Sequence, residues 1–102
     1  MIKFKDLNET QKAMVCSNNL GVVFRAIEQG LGIDRLINHC DYRIRIRVAQ
    51  NGYGEEILRD DEVGIVRAVV LRHAKQKETI DKLSKDTNPF VVDAYNEICA
   101  KQ

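Results

Sequence analysis

Arginine is the residue type in this chain with the clearest capacity for molecular recognition. A guanidinium group presents a planar fork of N–H donors that matches a carboxylate or a phosphate. Three arginines alternate with apolar residues between positions 43 and 48, and two more flank the next apolar stretch. The arginines that we take as candidate binding residues are Arg25, Arg43, Arg45, Arg47, Arg67 and Arg72.

Histidine and cysteine are too dispersed to predict a metal site. His39 and Cys40 are adjacent, whereas His73, Cys16 and Cys99 lie far away in the sequence. No Cys-x-x-Cys or His-x-x-x-His spacing is present, and these spacings are the usual marks of a metal site. A catalytic Cys–His pair stays an alternative, but the two adjacent residues are poorly placed to face each other across a cleft. The sequence therefore predicts no metal, no cofactor and no enzyme.

The bulk composition is that of an ordinary globular protein and excludes a strong global field. The chain has 102 residues, of which 44% are hydrophobic and 30% charged. Sixteen basic residues against fifteen acidic ones give a formal net charge of +1, so any attraction to an anion must be local. No apolar run approaches the ~20 residues of a membrane span, and the first residues do not resemble a signal peptide. The three widely spaced cysteines predict a reducing, cytoplasmic setting.

The alternating stretch at residues 43–48 has two interpretations. Read alone, it predicts a strand with an arginine face, and the following Asn51-Gly52 would suit a hairpin turn. A search for internal repeats contradicts that interpretation. An offset of 22 residues places Gly30 on Gly52, together with the glycine two residues further along each turn. The stretch then belongs to a repeated unit, and it must share the secondary structure of the other units.

The repeat extends over four units, at about residues 8–29, 30–51, 52–76 and 77–102. The last unit needs an offset of 25 because three extra residues precede it. Two columns of equivalent positions are consistently apolar, namely Met14, Leu36, Leu58, Leu83 and Val22, Ile44, Val66, Val91. These columns predict one 102-residue domain built from four similar units.

Each unit is predicted to be a pair of helices. Asn88-Pro89 resembles an N-cap followed by proline at the first helical position. From Val91 onward, apolar residues recur at helical spacing on one face. Asn8 and Gln11 have the spacing of a capping box, and Gly30 and Gly52 stand where helices commonly end in a left-handed residue. Residues 43–50 are therefore predicted to be helical despite their β-branched content.

With the units aligned, the sequence resembles HEAT-like helical repeats. The family's pattern is an acidic residue, a short gap, and then Val-Arg followed by small and apolar residues. It is matched by Asp61-Glu62-Val63-Gly64-Ile65-Val66-Arg67-Ala68, and less closely at residues 39–49 and 86–94. Val23 and Val92 replace the arginine in the terminal units, and His39 replaces the acid of the second unit. Terminal repeats are expected to differ because they cap the stack.

The resemblance implies an all-α, short right-handed α-solenoid with the second helix of each pair on its concave face. It also implies a ladder of Asp–Arg pairs, here formed around Asp60, Asp61, Arg45 and Arg67. We expect the remaining arginines to form a basic strip on the concave face, with Tyr53 as a further candidate contact. Packing of Arg45 and Arg67 against acids, and of the Tyr53 ring on a neighbouring helix, are the alternatives to a binding role.

The function predicted from this reading is a non-catalytic protein–protein interaction module, such as a small adaptor, regulator, inhibitor or phage accessory protein. Its partner would present an acidic protein surface. The alternative is a nucleic-acid-binding repeat protein that contacts phosphates through the same arginines. A homodimer is a further hypothesis, because Phe90 and Tyr95 could belong to an exposed apolar surface in the last unit.

Overall fold

The computed structural model describes residues 1–101 and is all-helical. A short 3₁₀ helix at Phe4–Asp6 precedes α1 (Glu9–Val15), α2 (Leu20–Glu28), α3 (Ile33–Leu36) and α4 (Tyr42–Gln50). The chain continues through α5 (Glu55–Leu58), α6 (Gly64–Arg72), α7 (Lys77–Leu83) and α8 (Pro89–Ala100). Within the described residues there is no strand, and the one β-bridge joins Ile2 to Leu31. No helix in this part of the chain is long and apolar enough to cross a membrane.

The long helices pack in chain order and form one layer. Helix α2 contacts α4, α4 contacts α6, and α6 contacts α8. Among the shorter helices, α1 packs on α2, α3 on α4 and α5 on α6, whereas α7 packs on α6, the long helix that precedes it. The molecule measures 44 × 22 × 21 Å along its principal axes. Each predicted interval contains one short and one long helix, with the last interval described up to residue 101.

The prediction that residues 43–50 are helical is confirmed. Asp41 caps α4 through a bond from the backbone N–H of Arg43, and Ile44 and Val48 turn into the core with 2% and 0% exposure. A β-branched residue costs helix propensity about 0.5 kcal/mol relative to alanine, whereas burying it contributes about 1.5–3 kcal/mol. Packing against α2 and α6 therefore outweighs the strand preference of this segment.

The predicted caps are also present. Asn8 and Gln11 form a complete capping box at α1, and Asn88 caps α8 with Pro89 in its first turn. Helix α7 begins at Lys77, and its N-cap residue is Gln76. Cys40 and Cys99 are exposed, although both fall at small or apolar positions of the repeat alignment. Cys40 lies in the turn before α4, and Cys99 lies in the last turn of α8.

Two turns of the form Gly-x-Gly connect α2 to α3 and α4 to α5. Gly52 and Gly54 have φ angles of +81° and +71°, a region that only glycine enters without strain. A Cβ on Gly54 would overlap the side chain of buried Ile37, whereas a Cβ on Gly52 would have Lys75 Nζ as its nearest neighbour at 3.9 Å. Gly54 is therefore required for close packing as well as for its backbone conformation.

Replacing these two glycines with alanine separates the backbone effect from the packing effect. We expect Gly52→Ala to lower the free energy of unfolding by about 1 kcal/mol, the cost of a left-handed alanine. Gly54→Ala adds overpacking against Ile37, so we expect a loss of about 2–4 kcal/mol. Urea denaturation followed by circular dichroism measures both values. Equal losses would show that Ile37 moves aside without cost.

Candidate functional site

Arg45 forms a bidentate ion pair in the interior. From α4, its Nε lies 2.7 Å from Asp61 Oδ2, and its Nη2 lies 3.2 Å from Asp61 Oδ1. Its Nη1 donates to the carbonyl oxygen of His39 at 2.6 Å. The side chains of Arg45 and Asp61 are only 10% and 6% exposed. One guanidinium therefore joins α4 to the turns that precede α4 and α6.

Arg67 repeats this arrangement one unit later. Its Nε lies 2.8 Å from Asp86 Oδ2, and its Nη1 donates to the carbonyl oxygen of Asp61 at 2.7 Å. The hydrogen bond from Arg67 lowers the pKa of Asp86, although burial opposes the shift. The sequence placed Asp60 and Asp61 beside both arginines. Asp60 instead pairs with Lys82. The carboxylate that pairs with Arg67 is Asp86, in the turn before α8.

Arg43 and Arg72 are exposed, and each pairs with a carboxylate. Arg43 Nη2 lies 2.8 Å from Oδ2 of Asp41, the N-cap residue of its own helix. The hydrogen bonds from Arg43 lower the pKa of Asp41 to about 2. Arg72 Nε on α6 lies 2.9 Å from Glu97 Oε2 on α8. Both arginines are thus locally neutralised.

Arg47 and Arg25 have no carboxylate partner among residues 1–101. The Arg47 guanidinium lies over the ring of Phe24, with its Cζ 4.1 Å from the ring centroid. This cation–π contact fixes the half-buried side chain of Arg47 while its charge stays unneutralised. Arg25 is exposed and directly follows Phe24 on α2.

These four exposed or half-buried arginines lie on three consecutive long helices, α2, α4 and α6, which contact one another in that order. Arg25 and Arg47 are equivalent positions on neighbouring helices, Arg43 lies one turn before Arg47, and Arg72 lies at the end of α6. Ile46 on α4 and Val69 on α6 are half-buried. We call this surface the arginine face, defined by Arg25, Arg43, Arg47 and Arg72.

Tyr53 does not belong to the arginine face. It lies in the turn before α5, is half-buried, and lines a groove beside α3 and α5. The Phe24–Arg47 contact was missed by the sequence reasoning. The repeat alignment pairs Arg47 with Arg25, the residue that follows Phe24 in the sequence. It therefore indicates that Arg47 lies near Phe24 but not that the two side chains are in contact.

The chemistry that this arrangement supports is the binding of anions. Of the six candidate arginines, Arg45 and Arg67 form buried ion pairs with aspartates. Arg43 and Arg72 pair with carboxylates at the surface, and Arg25 and Arg47 have no carboxylate partner within residues 1–101. In residues 1–101 no group of three or more His, Cys, Asp or Glu side chains is arranged to hold a metal ion. Comparison of the chain with protein-family models, curated proteins and solved structures found no match in any of the three.

The ion pairs are expected to differ in their contribution to stability according to burial. Asp61→Asn keeps the bond to the backbone N–H of Val63 but leaves Arg45 buried without a counter-charge. We expect it to lower the free energy of unfolding by about 2–4 kcal/mol. Glu97→Gln removes the charge from a half-exposed, solvent-screened pair and should lower the free energy of unfolding much less than Asp61→Asn does. Similar losses in the two variants would contradict a special role for the buried pair.

The lowered pKa of Asp86 predicts a specific acid sensitivity. Because the folded-state pKa lies below the ordinary value of 3.8, the unfolded chain takes up the proton first as pH falls. The stabilisation is complete above pH 3.8 and is lost as pH drops through the folded pKa. Asp86→Asn should therefore flatten the decline in unfolding free energy below about pH 4. Asp93→Asn, at an exposed carboxylate that forms no ion pair within residues 1–101, is the matched control.

Proposed function

We propose that this chain is a non-catalytic protein-interaction module, a short α-solenoid of four HEAT-like helical pairs that binds an acidic protein surface through the arginine face. Three features support the repeat: the consecutive packing of the long helices, the elongated shape and the repeated Arg–Asp pairs. The observation that carries the function is the position of the Arg47 guanidinium, which lies over the Phe24 ring and has no carboxylate partner in residues 1–101.

Arg47 is ready to bind because its geometry is fixed before a partner arrives. Ordering a long side chain on binding costs about 0.5–1.5 kcal/mol, and the stack on Phe24 reduces that cost. Arg25 occupies the equivalent position on the adjacent helix, at a helix spacing of roughly 8–10 Å. Two carboxylates separated by two turns of a partner helix are about 10.8 Å apart, slightly more than this spacing, and the length of the arginine side chains spans the difference.

The composition of the arginine face favours a protein over a nucleic acid. Half-buried Phe24, Ile46 and Val69 lie among its arginines, and arginine mixed with aromatic and aliphatic side chains is typical of protein interfaces. Nucleic-acid sites need many cations, because each phosphate contact contributes to a salt-dependent affinity. Here Asp41 and Glu97 already neutralise two of the four arginines.

Paired variants on the arginine face test this proposal. The full chain is immobilised and incubated with a nuclease-treated extract of its native host, and the retained proteins are quantified by mass spectrometry. We expect an acidic protein to be retained by the wild type and at least about tenfold less by the Arg25→Ala/Arg47→Ala variant, which removes two interface arginines. The Arg43→Ala/Arg72→Ala variant, which removes the paired arginines, should keep most of the binding.

A second measurement distinguishes nucleic acid from protein. Fluorescence anisotropy with single-stranded and duplex oligonucleotides is recorded from 50 to 200 mM salt. Binding that falls steeply with salt and is lost in Arg25→Ala/Arg47→Ala would replace the protein proposal with the nucleic-acid one. Retention of the same proteins by all variants would also contradict the proposal. Circular dichroism checks that each variant is folded.

A further inference from the structure

The N-terminal segment is bound to the first Gly-x-Gly turn as a short extended peptide. The N–H of Ile2 donates to the carbonyl oxygen of Gly30 at 2.9 Å, and the N–H of Gly32 donates to the carbonyl oxygen of Ile2 at 2.9 Å. Two residues later, the N–H of Phe4 donates to Asp34 Oδ1 at 2.9 Å. The turn and the carboxylate that follows it thus hold an extended segment by three backbone bonds.

The second Gly-x-Gly turn presents the same two backbone groups and a carboxylate, Glu56, whose Oε1 accepts from Gln76 Nε2 at 2.6 Å and whose Oε2 is left for a ligand. Gly52 and Gly54 repeat the left-handed conformations of the first turn, with φ angles of +81° and +71° against +72° and +63°. Glu56 stands at the position of Asp34. Within residues 1–101, neither the Gly52 carbonyl nor the Gly54 N–H has a protein hydrogen-bond partner. The second turn therefore offers the donor and acceptor that the first turn uses to hold Ile2.

The third turn shows that this backbone position receives an acceptor even without glycine. Gln76 is the N-cap residue of α7, as Gly54 is of α5, and its N–H donates to Glu55 Oε2 at 2.9 Å. The N–H of Lys75 donates to the other oxygen of the same carboxylate at 2.8 Å. Two of the three equivalent N–H groups are thus bound by another part of the chain, and Gly54 differs from both.

A groove of about 420 Å³ lies beside the second turn. Ile33, Ile37, Tyr53 and Ile57 give it an apolar surface, and Asp34 and Glu56 line it with negative charge. Ile57 is 56% exposed. Asp34 and Glu56 form no ion pair with any cation in the described chain. The groove is thus apolar and acidic, whereas the arginine face is basic.

We propose that this groove binds an extended segment of a partner protein as a parallel β-bridge to Gly52 and Gly54, and that the segment carries lysine or arginine two residues after the bridging residue. The backbone of the segment would donate to the Gly52 carbonyl, accept from the Gly54 N–H and donate to the Glu56 carboxylate. This is the pattern that Ile2 and Phe4 form one unit earlier.

The basic residue follows from the substitutions between the two sites. The Phe4 ring lies between two cations, with Arg35 Cζ at 3.9 Å and Lys12 Nζ at 5.8 Å from its centroid. The equivalent positions at the second turn are Ile57 and Asp34. An aliphatic side chain beside a carboxylate fits a lysine or arginine, whose stem packs on apolar surface while its charged end reaches the acid. An aromatic residue would gain no cation there.

A second copy of this chain does not match the proposed ligand. Its N-terminal segment places Phe4 two residues after the bridging residue, and that segment is already bound to its own first turn. The groove also contains neither Arg25 nor Arg47. The proposal therefore concerns a surface separate from the arginine face, and its test is independent of the one described above.

Short peptides in a nuclear magnetic resonance titration test the proposal. The probes are acetylated, amidated peptides of sequence Ser-Ile-Thr-Lys-Ser, with glutamate or phenylalanine replacing lysine in two analogues. The ¹⁵N-labelled full chain is titrated with each probe. We expect the lysine peptide to shift the amides of Tyr53, Gly54 and Ile57 with a dissociation constant in the millimolar range, on the order of 1 mM, and the glutamate peptide to bind at least about fivefold more weakly, the size of an exposed ion-pair effect.

Matched variants then assign the charge preference to the groove. Glu56→Gln should weaken the lysine peptide about two- to fivefold, whereas Glu62→Gln, at an exposed acid outside this groove, should not. Ile57→Arg recreates the position of Arg35, so it should weaken the lysine peptide and strengthen the phenylalanine peptide. The proposal is overturned if the shifted amides lie outside the groove, or if no peptide binds at a peptide concentration tenfold above the expected dissociation constant. Equal affinity of the three peptides for the wild type would also overturn it.

Discussion

The two buried Arg–Asp pairs are the interactions on which the rest of the structure depends. Helices α3 and α5 have four residues each, and even the longest helix has twelve. Isolated helices of this length are marginal in water, so tertiary contacts must supply their stability. Arg45 and Arg67 each fasten one long helix to the turns on both of its sides. The same aspartates also accept the backbone N–H groups of Val63 and Asn88, so each carboxylate shapes the turn that it anchors.

The ends of this ladder are closed without leaving a charge unpaired. The ladder position on α2 is Val23, which is buried, and the residue that would face an arginine there is His39 instead of an acid. Like Asp61, His39 accepts the backbone N–H of the residue two positions later: its Nδ1 lies 2.9 Å from the backbone nitrogen of Asp41. On α8 the ladder position is Val92, an exposed apolar side chain with no charge to pair. The missing arginine and the missing acid thus occur together, which avoids the penalty of an unpaired buried charge.

Features that the offset of 22 residues aligns were predictable from the sequence, and features outside that alignment were not. Offset matching identified the helical state of residues 43–50, the left-handed glycines and the arginines of the ladder. Asp86 was not assigned to Arg67, although the offset of 25 residues that aligns the last unit places Asp86 on Asp61, the partner of Arg45. The bridge of Ile2 to the first turn lies outside the repeat and has no sequence signal. The columns also misplaced Cys40 and Cys99, which fall at small or apolar positions of the alignment but are exposed.

Helical geometry also explains why one alternating arginine segment serves two purposes. Successive residues in an α-helix are rotated by about 100°, so residues two apart point to nearly opposite sides and residues four apart to the same side. Arg45 therefore enters the interior, where Asp61 receives it, while Arg43 and Arg47 share the outer surface. In a strand, all three arginines would lie on one face and none could reach a buried acid. The alternation that imitates a strand is thus what allows α4 to hold the layer together from one side and present the stacked, unpaired guanidinium of Arg47 on the other.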